Sequence, residues 1–265
     1  MTSSIVVSSR GTIGRITLAR PEQRNPLNSE MAEAIVSALE QHFSDDTVRS
    51  VVIDAQGEAF CAGADLEQVK ELPNLSSPHA FDWSHDIVKA QELMVDAPKP
   101  VVAAVQGPAY AGGLGLAAMC DLVLATRSAT FATPEVKIGL FPMIIVPQLV
   151  RAIPRKMLLE MMFTGDPISA PDAHRLGFVN ALADNRDDLE TLIQRYGEKF
   201  TKVSPDAVRM GRRAFSVLSE LPVGPGLRAA QLFNVPFMTG PDFADGAEAF
   251  LEKRLPGWTV ETDAP

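Results

Sequence analysis

Two glycine-rich segments and one isolated glutamate carry the residue types that could do chemistry. Residues 60–66 (FCAGADL) and 106–116 (QGPAYAGGLGL) each follow an apolar run and lead into a helical pattern. Small residues at such turns expose backbone N–H groups, and a helix N-terminus adds a positive field that holds an anion or a developing oxyanion. Glu135, within residues 131–139 (FATPEVKIG), would serve as a base near neutral pH if burial raised its pKa.

Each of these segments also has a purely structural explanation. The glycines fit a tight strand-to-helix turn or close helix packing, and an isolated glutamate is most often exposed. Other chemistries have less support, because no Walker or Rossmann glycine pattern and no G-x-S-x-G elbow occurs. Among the histidines, His42 and His174 are predicted to be surface or capping residues. His79 and His85 are predicted to lie in a mobile stretch.

The pattern around these segments predicts an α/β fold. Short β-branched runs alternate with helical patterns in the first half, which implies a largely parallel sheet covered on its faces. The predicted strands are 5–7, 14–18, 51–54, 101–105 and 122–125, and the predicted helices here are 31–43, capped by Asn28 or Ser29, and 112–119. The second half is mostly helical, with helices predicted at 157–163, 187–202, 205–218 and 242–254 and a loop at 222–226. We therefore predict an α/β core over residues 1–200 and a helical C-terminal region over residues 201–265.

Composition narrows the class of ligand and the compartment. The 24 Lys+Arg against 33 Asp+Glu give a net charge of −9, which argues against nucleic-acid binding but leaves room for an anionic small ligand. Two cysteines, Cys61 and Cys120, form neither a disulfide framework nor a zinc pattern, so we expect a reducing cytoplasm and no metal. Residues 100–120 are uncharged over the length of a bilayer, but Gln106, Pro108 and several glycines argue against a membrane span. No signal peptide is predicted.

Taken together, the segments resemble the crotonase family, also called the enoyl-CoA hydratase/isomerase family. The resemblance begins with residues 20–28 (RPEQRNPLN) and continues through residues 62–66, 111–113, 119–121 (MCD) and 134–139. It ends with residues 246–254 (GAEAFLEKR), which are similar to the family's closing helix, so it covers nearly the whole chain.

The resemblance implies a fold, a substrate class and a set of site residues. The fold would be a spiral of ββα units with a helical trimerisation region, assembled as a homotrimer or a dimer of trimers. The substrate would be an acyl-CoA thioester, with no separate cofactor, because coenzyme A is part of the substrate. The oxyanion-hole donors would be the backbone N–H groups of Ala64 and Gly112, with Glu135 as the acid/base. The residues expected along the substrate and its CoA portion are Arg24, Ala62, Gly63, Ala64, Asp65, Leu66, Gly112 and Gly113, with Phe250 and Lys253 from the closing helix.

Three departures from the family pattern bear on the reaction. Family hydratases carry two glutamates, and one matches Glu135 while Gly115 stands at the position of the other. Dienoyl-CoA isomerases carry acids at the positions of Gly115 and Met143, and both are missing here. Residues 140–147 (LFPMIIVP) replace the usual glycine-rich run, so we expect a more apolar pocket.

A single carboxylate beside an oxyanion hole suits the transfer of a proton from C2 to C4 of a 3-enoyl thioester. This pattern resembles the Δ3,Δ2-enoyl-CoA isomerase branch of the family, which we favour. One alternative is an enoyl-CoA hydratase that uses Glu135 alone or with an acid such as Asp82 or Asp86. The others are a different enolate reaction, such as decarboxylation or thioester hydrolysis, and a non-catalytic acyl-CoA-binding protein.

Overall fold

The computed structural model describes residues 4–260, which form two sheets surrounded by helices. The strands are β1 Ile5–Arg10, β2 Ile13–Leu18, β3 Ser50–Ala55, β4 Val101–Val105, β5 Ala109–Tyr110, β6 Leu122–Thr126, β7 Thr130–Ala132, β8 Ile168–Ser169 and β9 Ala181–Ala183. The larger sheet has the order β1-β2-β3-β4-β6-β9 and the smaller one β5-β7-β8. Only the β1–β2 and β7–β8 pairs among these are antiparallel. The predicted mixed α/β class with a largely parallel sheet is confirmed.

The larger sheet is covered on both faces, as its nearly continuous apolar strands require. Successive side chains of a strand point to opposite faces, so Val51 and Ile53 of β3 enter the main core while Val52 enters a smaller one. The smaller core is closed by Leu189 and Ile193 of a helix that spans Arg186–Phe200. This packing holds fixed the carboxyl ends of the strands, from which the glycine-rich segments leave.

Twelve α-helices are described within residues 4–260. They are α1 Ser29–Ser44, α2 Leu66–Val69, α3 Ser77–Asp82, α4 His85–Val95, α5 Gly112–Met119, α6 Val146–Ala152, α7 Arg155–Thr164, α8 Ala170–Arg175, α9 Arg186–Phe200, α10 Pro205–Leu218, α11 Val223–Met238 and α12 Pro241–Glu252. Five of them, α1, α2, α8, α9 and α10, begin after a side chain that caps them. The predicted cap of α1 is confirmed, because the Asn28 side chain accepts a 2.9 Å hydrogen bond from the Met31 N–H. Short 3₁₀ turns span Pro21–Gln23, Leu72–Asn74, Pro134–Ile138 and Met143–Ile145. The helices α10 to α12 confirm the helical character of the C-terminal part.

Several local predictions are corrected. The predicted loop at 222–226 is wrong, because α11 begins at Val223, and its Pro225 lies in the first turn, where a backbone N–H has no intrahelical acceptor. His42 is not a surface residue: it is buried on α1, and its Nε2 lies 3.4 Å from the Arg15 carbonyl oxygen. Residues 100–120 form β4, β5 and α5, and no helix of the described residues is long and apolar enough to cross a membrane.

Candidate active site

The first glycine-rich segment forms a tight turn before α2 that leaves one backbone N–H free. Gly63 has a φ of +102°, and a Cβ there would lie 2.7 Å from the Ala111 Cβ, so both backbone and space require glycine. The Leu27 N–H donates to the Gly63 carbonyl at 2.7 Å and the Asp65 N–H to the Leu27 carbonyl at 2.8 Å. The Ala64 N–H between them donates to no acceptor within residues 4–260.

The second segment turns sharply from β5 into α5. Ala111 has φ 51° and ψ −122°, a region that side-chain-bearing residues rarely adopt. The turn is held because the Ala111 N–H donates to the Ala132 carbonyl at 2.9 Å and the Ala111 carbonyl accepts from the Gly115 N–H at 3.0 Å. The N–H of Gly112, the first helical residue, finds no acceptor in the described chain. Strain stored next to a free N–H is typical of a functional turn. The sequence predicts the segment that contains Ala111 but not its strain, because alanine gives no signal for an unusual φ.

The two turns and Glu135 meet at one cavity. Its volume is about 850 Å³, and Ala64, Gly112 and Glu135 all line it, as the sequence predicted. Most of the remaining wall is apolar. The apolar side chains of the wall include Leu66, Val69, Leu72, Trp83, Ile87, Leu140, Phe141, Met143, Ile144 and Ile145. A largely apolar cavity with a few convergent polar groups is the usual form of a small-molecule site.

Glu135 lies on the 3₁₀ turn Pro134–Ile138 and is half-buried. Its Oε2 is buried and has no hydrogen-bond partner among the described residues. Burial raises the pKa of this carboxyl above its ordinary value, opposed by a hydrogen bond from its own backbone. A carboxylate with a raised pKa and no cationic partner is suited to take up and return a proton near neutral pH.

The other acids of the cavity wall are engaged or exposed. Asp65 pairs with Arg20 at 2.9 Å, and its side chain also caps α2 by accepting from the Glu67 N–H. Glu67 is exposed and forms an ion pair with Lys70. Among the described residues that line the cavity, Glu135 is therefore the one carboxylate that is both sheltered and unpaired.

The cysteines and histidines offer no alternative nucleophile at this site. Cys61, directly before the first turn, is fully buried, and burial raises the pKa of its thiol to about 12. None of the four histidines lines the cavity. No cluster of His, Cys, Asp and Glu within residues 4–260 has the arrangement of a metal site.

The residues of the glycine-rich segments that are expected along the CoA portion lie either in the cavity wall or directly behind it. Ala62, Asp65 and Leu66 line the cavity beside Ala64. Gly63 and Gly113 act from behind the wall, where Gly63 packs on Ala111 and a Cβ on Gly113 would collide with the Cys61 carbonyl oxygen.

The cationic candidates lie farther out. Arg24 is exposed outside the cavity wall, and its carbonyl accepts from the Ala62 N–H at 2.9 Å, whereas Arg20 lines the cavity. Phe250 and Lys253 lie at the end of α12, and neither lines this cavity within one chain. Their contact with CoA stays a prediction.

Comparison with known proteins gives consistent relatives. A family model described as enoyl-CoA hydratase/isomerase matches residues 8–261. A Thermus thermophilus relative is 35% identical over 252 residues, which cover 95% of this chain and 99% of the relative. The mitochondrial enoyl-CoA hydratase domain-containing protein 3 of Rattus norvegicus is 32% identical over 93% of this chain and 81% of its own. The crystal structure of an enoyl-CoA hydratase of Mycobacterium smegmatis matches with a TM-score of 0.90 and 33% identity, covering 96% of this chain and 98% of that one.

Proposed function

The chain belongs to the enoyl-CoA hydratase/isomerase family, and we propose that it moves the double bond of a 3-enoyl-CoA thioester to the 2 position, with Glu135 as the single acid and base. The crotonase-like fold expected from the sequence is confirmed by the likeness to solved structures of the family. Action on acyl-CoA thioesters is expected for the whole family, so the proposal concerns which reaction of the shared enolate this chain performs.

One observation carries the proposal: a single sheltered, unpaired carboxylate lies in an apolar cavity beside two free backbone N–H groups. Addition of water to a 2-enoyl thioester requires groups that hold and activate the water, and family hydratases use two glutamates for this. Here Gly115 replaces the first glutamate, and a Cβ at that position would collide with Cγ2 of Ile145. Isomerisation needs one proton carrier and no water, which suits this wall.

In the proposed reaction the thioester carbonyl oxygen accepts hydrogen bonds from the N–H groups of Ala64 and Gly112. The Glu135 carboxylate removes a proton from C2, and the electron pair of that C–H bond passes into a dienolate whose negative charge rests on the carbonyl oxygen. The protonated Glu135 then returns the proton to C4, which leaves the double bond between C2 and C3. Loss of one oxyanion donor typically costs about 3–4 kcal/mol of barrier.

Hydration of a 2-enoyl-CoA is the second candidate, because the Mycobacterium smegmatis structure named above is that of an enoyl-CoA hydratase. It would need Glu135 to act alone or with another acid. The two acids considered from the sequence, Asp82 and Asp86, lie on α3 and α4, and neither lines the cavity. We therefore rank hydration below isomerisation for this chain.

The proposal includes assembly as a homotrimer or a dimer of trimers in a reducing compartment, the cytoplasm. Its support is the apolar surface of the C-terminal helices, where Phe215, Leu232 and Phe250 are 72%, 73% and 84% exposed. These residues lie on α10, α11 and α12, which pack against one another, and large apolar side chains left exposed on neighbouring helices suit an interaction surface. Cys61 and Cys120 are both buried free thiols, which agrees with a reducing compartment. Light scattering of the purified protein measures the assembly directly.

The test of the reaction is a paired assay of the purified protein. We expect a 3-enoyl-CoA to give rising absorbance of the conjugated thioester, and Glu135→Gln to lower this rate by about 10²–10⁴-fold while thioester binding is kept. Glu160→Gln, an exposed glutamate of α7 outside the cavity, is the control and should leave the rate unchanged. Formation of a 3-hydroxyacyl-CoA from a 2-enoyl-CoA, without isomerisation of the 3-enoyl-CoA, would establish the hydratase instead.

A further inference from the structure

Gly115 and Ile145 are 30 residues apart in the sequence but lie side by side in the fold. Gly115 is buried in α5, and a Cβ built on it would collide with Cγ2 of Ile145. Ile145 closes the 3₁₀ turn before α6, is 3% exposed and lines the Glu135 cavity. Its side chain therefore occupies the space that any side chain at position 115 would need.

A polar group lies beside the same space without a partner. Nε2 of Gln148, on α6, would be 3.6 Å from a Cβ on Gly115. This nitrogen is buried and donates to no acceptor among the described residues. Buried polar groups are nearly always paired, so the Gln148 amide is a group that would hold a polar partner if the space beside Gly115 were opened.

We propose that Ile145 is a specificity-determining residue that selects proton transfer over addition of water. This inference rests on the proposed function and adds which residue decides between isomerisation and hydration. A water molecule held at an active site needs two to four polar partners, and Ile145 offers none where it fills the space next to Gly115. With no water held beside the thioester, C3 of the 2-enoyl product is not attacked, and the product leaves with its double bond moved.

The first experiment shortens Ile145. The rates of 3-enoyl-CoA isomerisation and 2-enoyl-CoA hydration are measured for wild type, Ile145→Val and Ile145→Ala, and their ratio is compared. Opening the space beside Gln148 should raise the hydration-to-isomerisation ratio by about 10-fold in Ile145→Ala and by less in Ile145→Val, in line with what a few methylene groups contribute to discrimination. The control is Leu149→Ala, which shortens a fully buried side chain of α6 that does not line the cavity. It should leave the ratio unchanged.

The second experiment restores a side chain at position 115. Gly115→Glu alone should lower the melting temperature and gain no hydration, because the new side chain meets Ile145. In Gly115→Glu/Ile145→Ala the glutamate gains room beside the Gln148 amide, so we expect the melting temperature to recover and hydration to rise above wild type. The non-additivity of the two substitutions in melting temperature reports the fit without depending on turnover.

The outcomes separate this inference from the proposed function. If wild type isomerises but the ratio stays constant in Ile145→Ala, the role of Ile145 is overturned and the isomerase stands. If wild type does not isomerise, the proposed function falls. In that case, hydration gained only by the double variant upholds the role of Ile145, and no gain overturns it. Efficient hydration by wild type overturns both.

Discussion

Two parts of the cavity wall differ in how they are held. The hole wall, residues 61–65 and 110–113, is packed backbone against backbone, with Gly63 on Ala111 and Gly113 on Cys61. The apolar rim, residues 138–144, is largely exposed, with Ile138 61% and Met143 68% accessible. In the proposed reaction the first part places the two N–H groups that hold the thioester oxygen, and its close packing leaves no room for an added side chain. The second part lines the cavity with apolar side chains, so we expect substitutions there to alter which acyl group binds rather than whether it reacts.

The largest effect is expected from Gly63→Ala in the hole wall. The added Cβ would press on Ala111 at a φ that alanine rarely adopts, and so would displace the segments that carry both free N–H groups. We expect turnover to fall by about 10²–10³-fold, the range for loss of an oxyanion donor, with little change in thioester binding.

The matched control for Gly63→Ala is Gly177→Ala. Gly177 has a similar positive φ of +87°, but a Cβ there meets nothing within 4 Å. It carries the same backbone strain away from the cavity and should keep normal turnover. Equal losses in the two variants would show that strain alone, rather than the position of the hole, explains the effect.

The next effect concerns pH. Because burial raises the pKa of Glu135 above its ordinary value of 4.5, the rate should fall by about tenfold per pH unit below that raised pKa, at a higher pH than for an exposed carboxylate. The dependence of kcat/KM on pH measures this directly. A profile that stays flat down to pH 4.5 would contradict the assignment of Glu135 as the base.

The same shift has a consequence for stability. A carboxyl whose pKa is raised in the folded state binds its proton more tightly there than in the unfolded chain. The unfolding free energy therefore falls as pH rises from 4.5 through the raised pKa of Glu135. We expect Glu135→Gln to melt higher than wild type at neutral pH, with the difference vanishing below pH 4.5. An identical difference at both pH values would contradict this.

A smaller effect is expected from Met143→Ser in the rim. The side chain is mostly exposed and lines the cavity, so we expect the fold to be unaffected and the apolar surface offered to a long acyl chain to be reduced. We expect KM for a long-chain thioester to rise by about tenfold and KM for a four-carbon thioester to stay unchanged. Phe163→Ser, at a 66% exposed residue of α7 outside the cavity, is the control. A rise for both chain lengths would assign Met143 to the CoA portion instead.

The difference between the two walls also explains what the sequence could predict. The hole wall could be predicted because its pattern is local. Glycines that follow a strand and precede a helix are visible in the sequence without knowledge of the fold. The predicted helix at 112–119 matches α5 at both ends, and Ala64, Gly112 and Glu135 line one cavity as expected. The positions that tertiary contacts decide were not predictable. Ile145 meets Gly115 only through the fold, and no periodicity signals that contact.

The missed helix α11 shows a second limit. Val223–Met238 contains Gly224, Pro225 and Gly226 at its start and Pro236 inside it, all of which predict a loop from propensity alone. Its apolar residues face outward in one chain, since Leu227 and Leu232 are 68% and 73% exposed. Within the chain α11 packs against α10 and α12, and such tertiary contacts can override a low helix propensity.

The smallest predicted effect concerns Ala111, which joins the hole wall to α5. Holding alanine at φ 51° and ψ −122° costs about 1–3 kcal/mol, and a glycine there removes that strain but adds about 0.5–1 kcal/mol of chain entropy to be lost on folding. Ala111→Gly should therefore raise the free energy of unfolding by about 1 kcal/mol. Turnover should fall less than in Gly63→Ala, because the more permissive backbone lets the Gly112 N–H leave its fixed direction.

Lys253→Gly, at φ 57° in the ordinary left-handed region, is the control for Ala111→Gly and should stabilise less. Equal stabilisation in both variants, measured by urea unfolding, would mean that no special strain is stored at the hole.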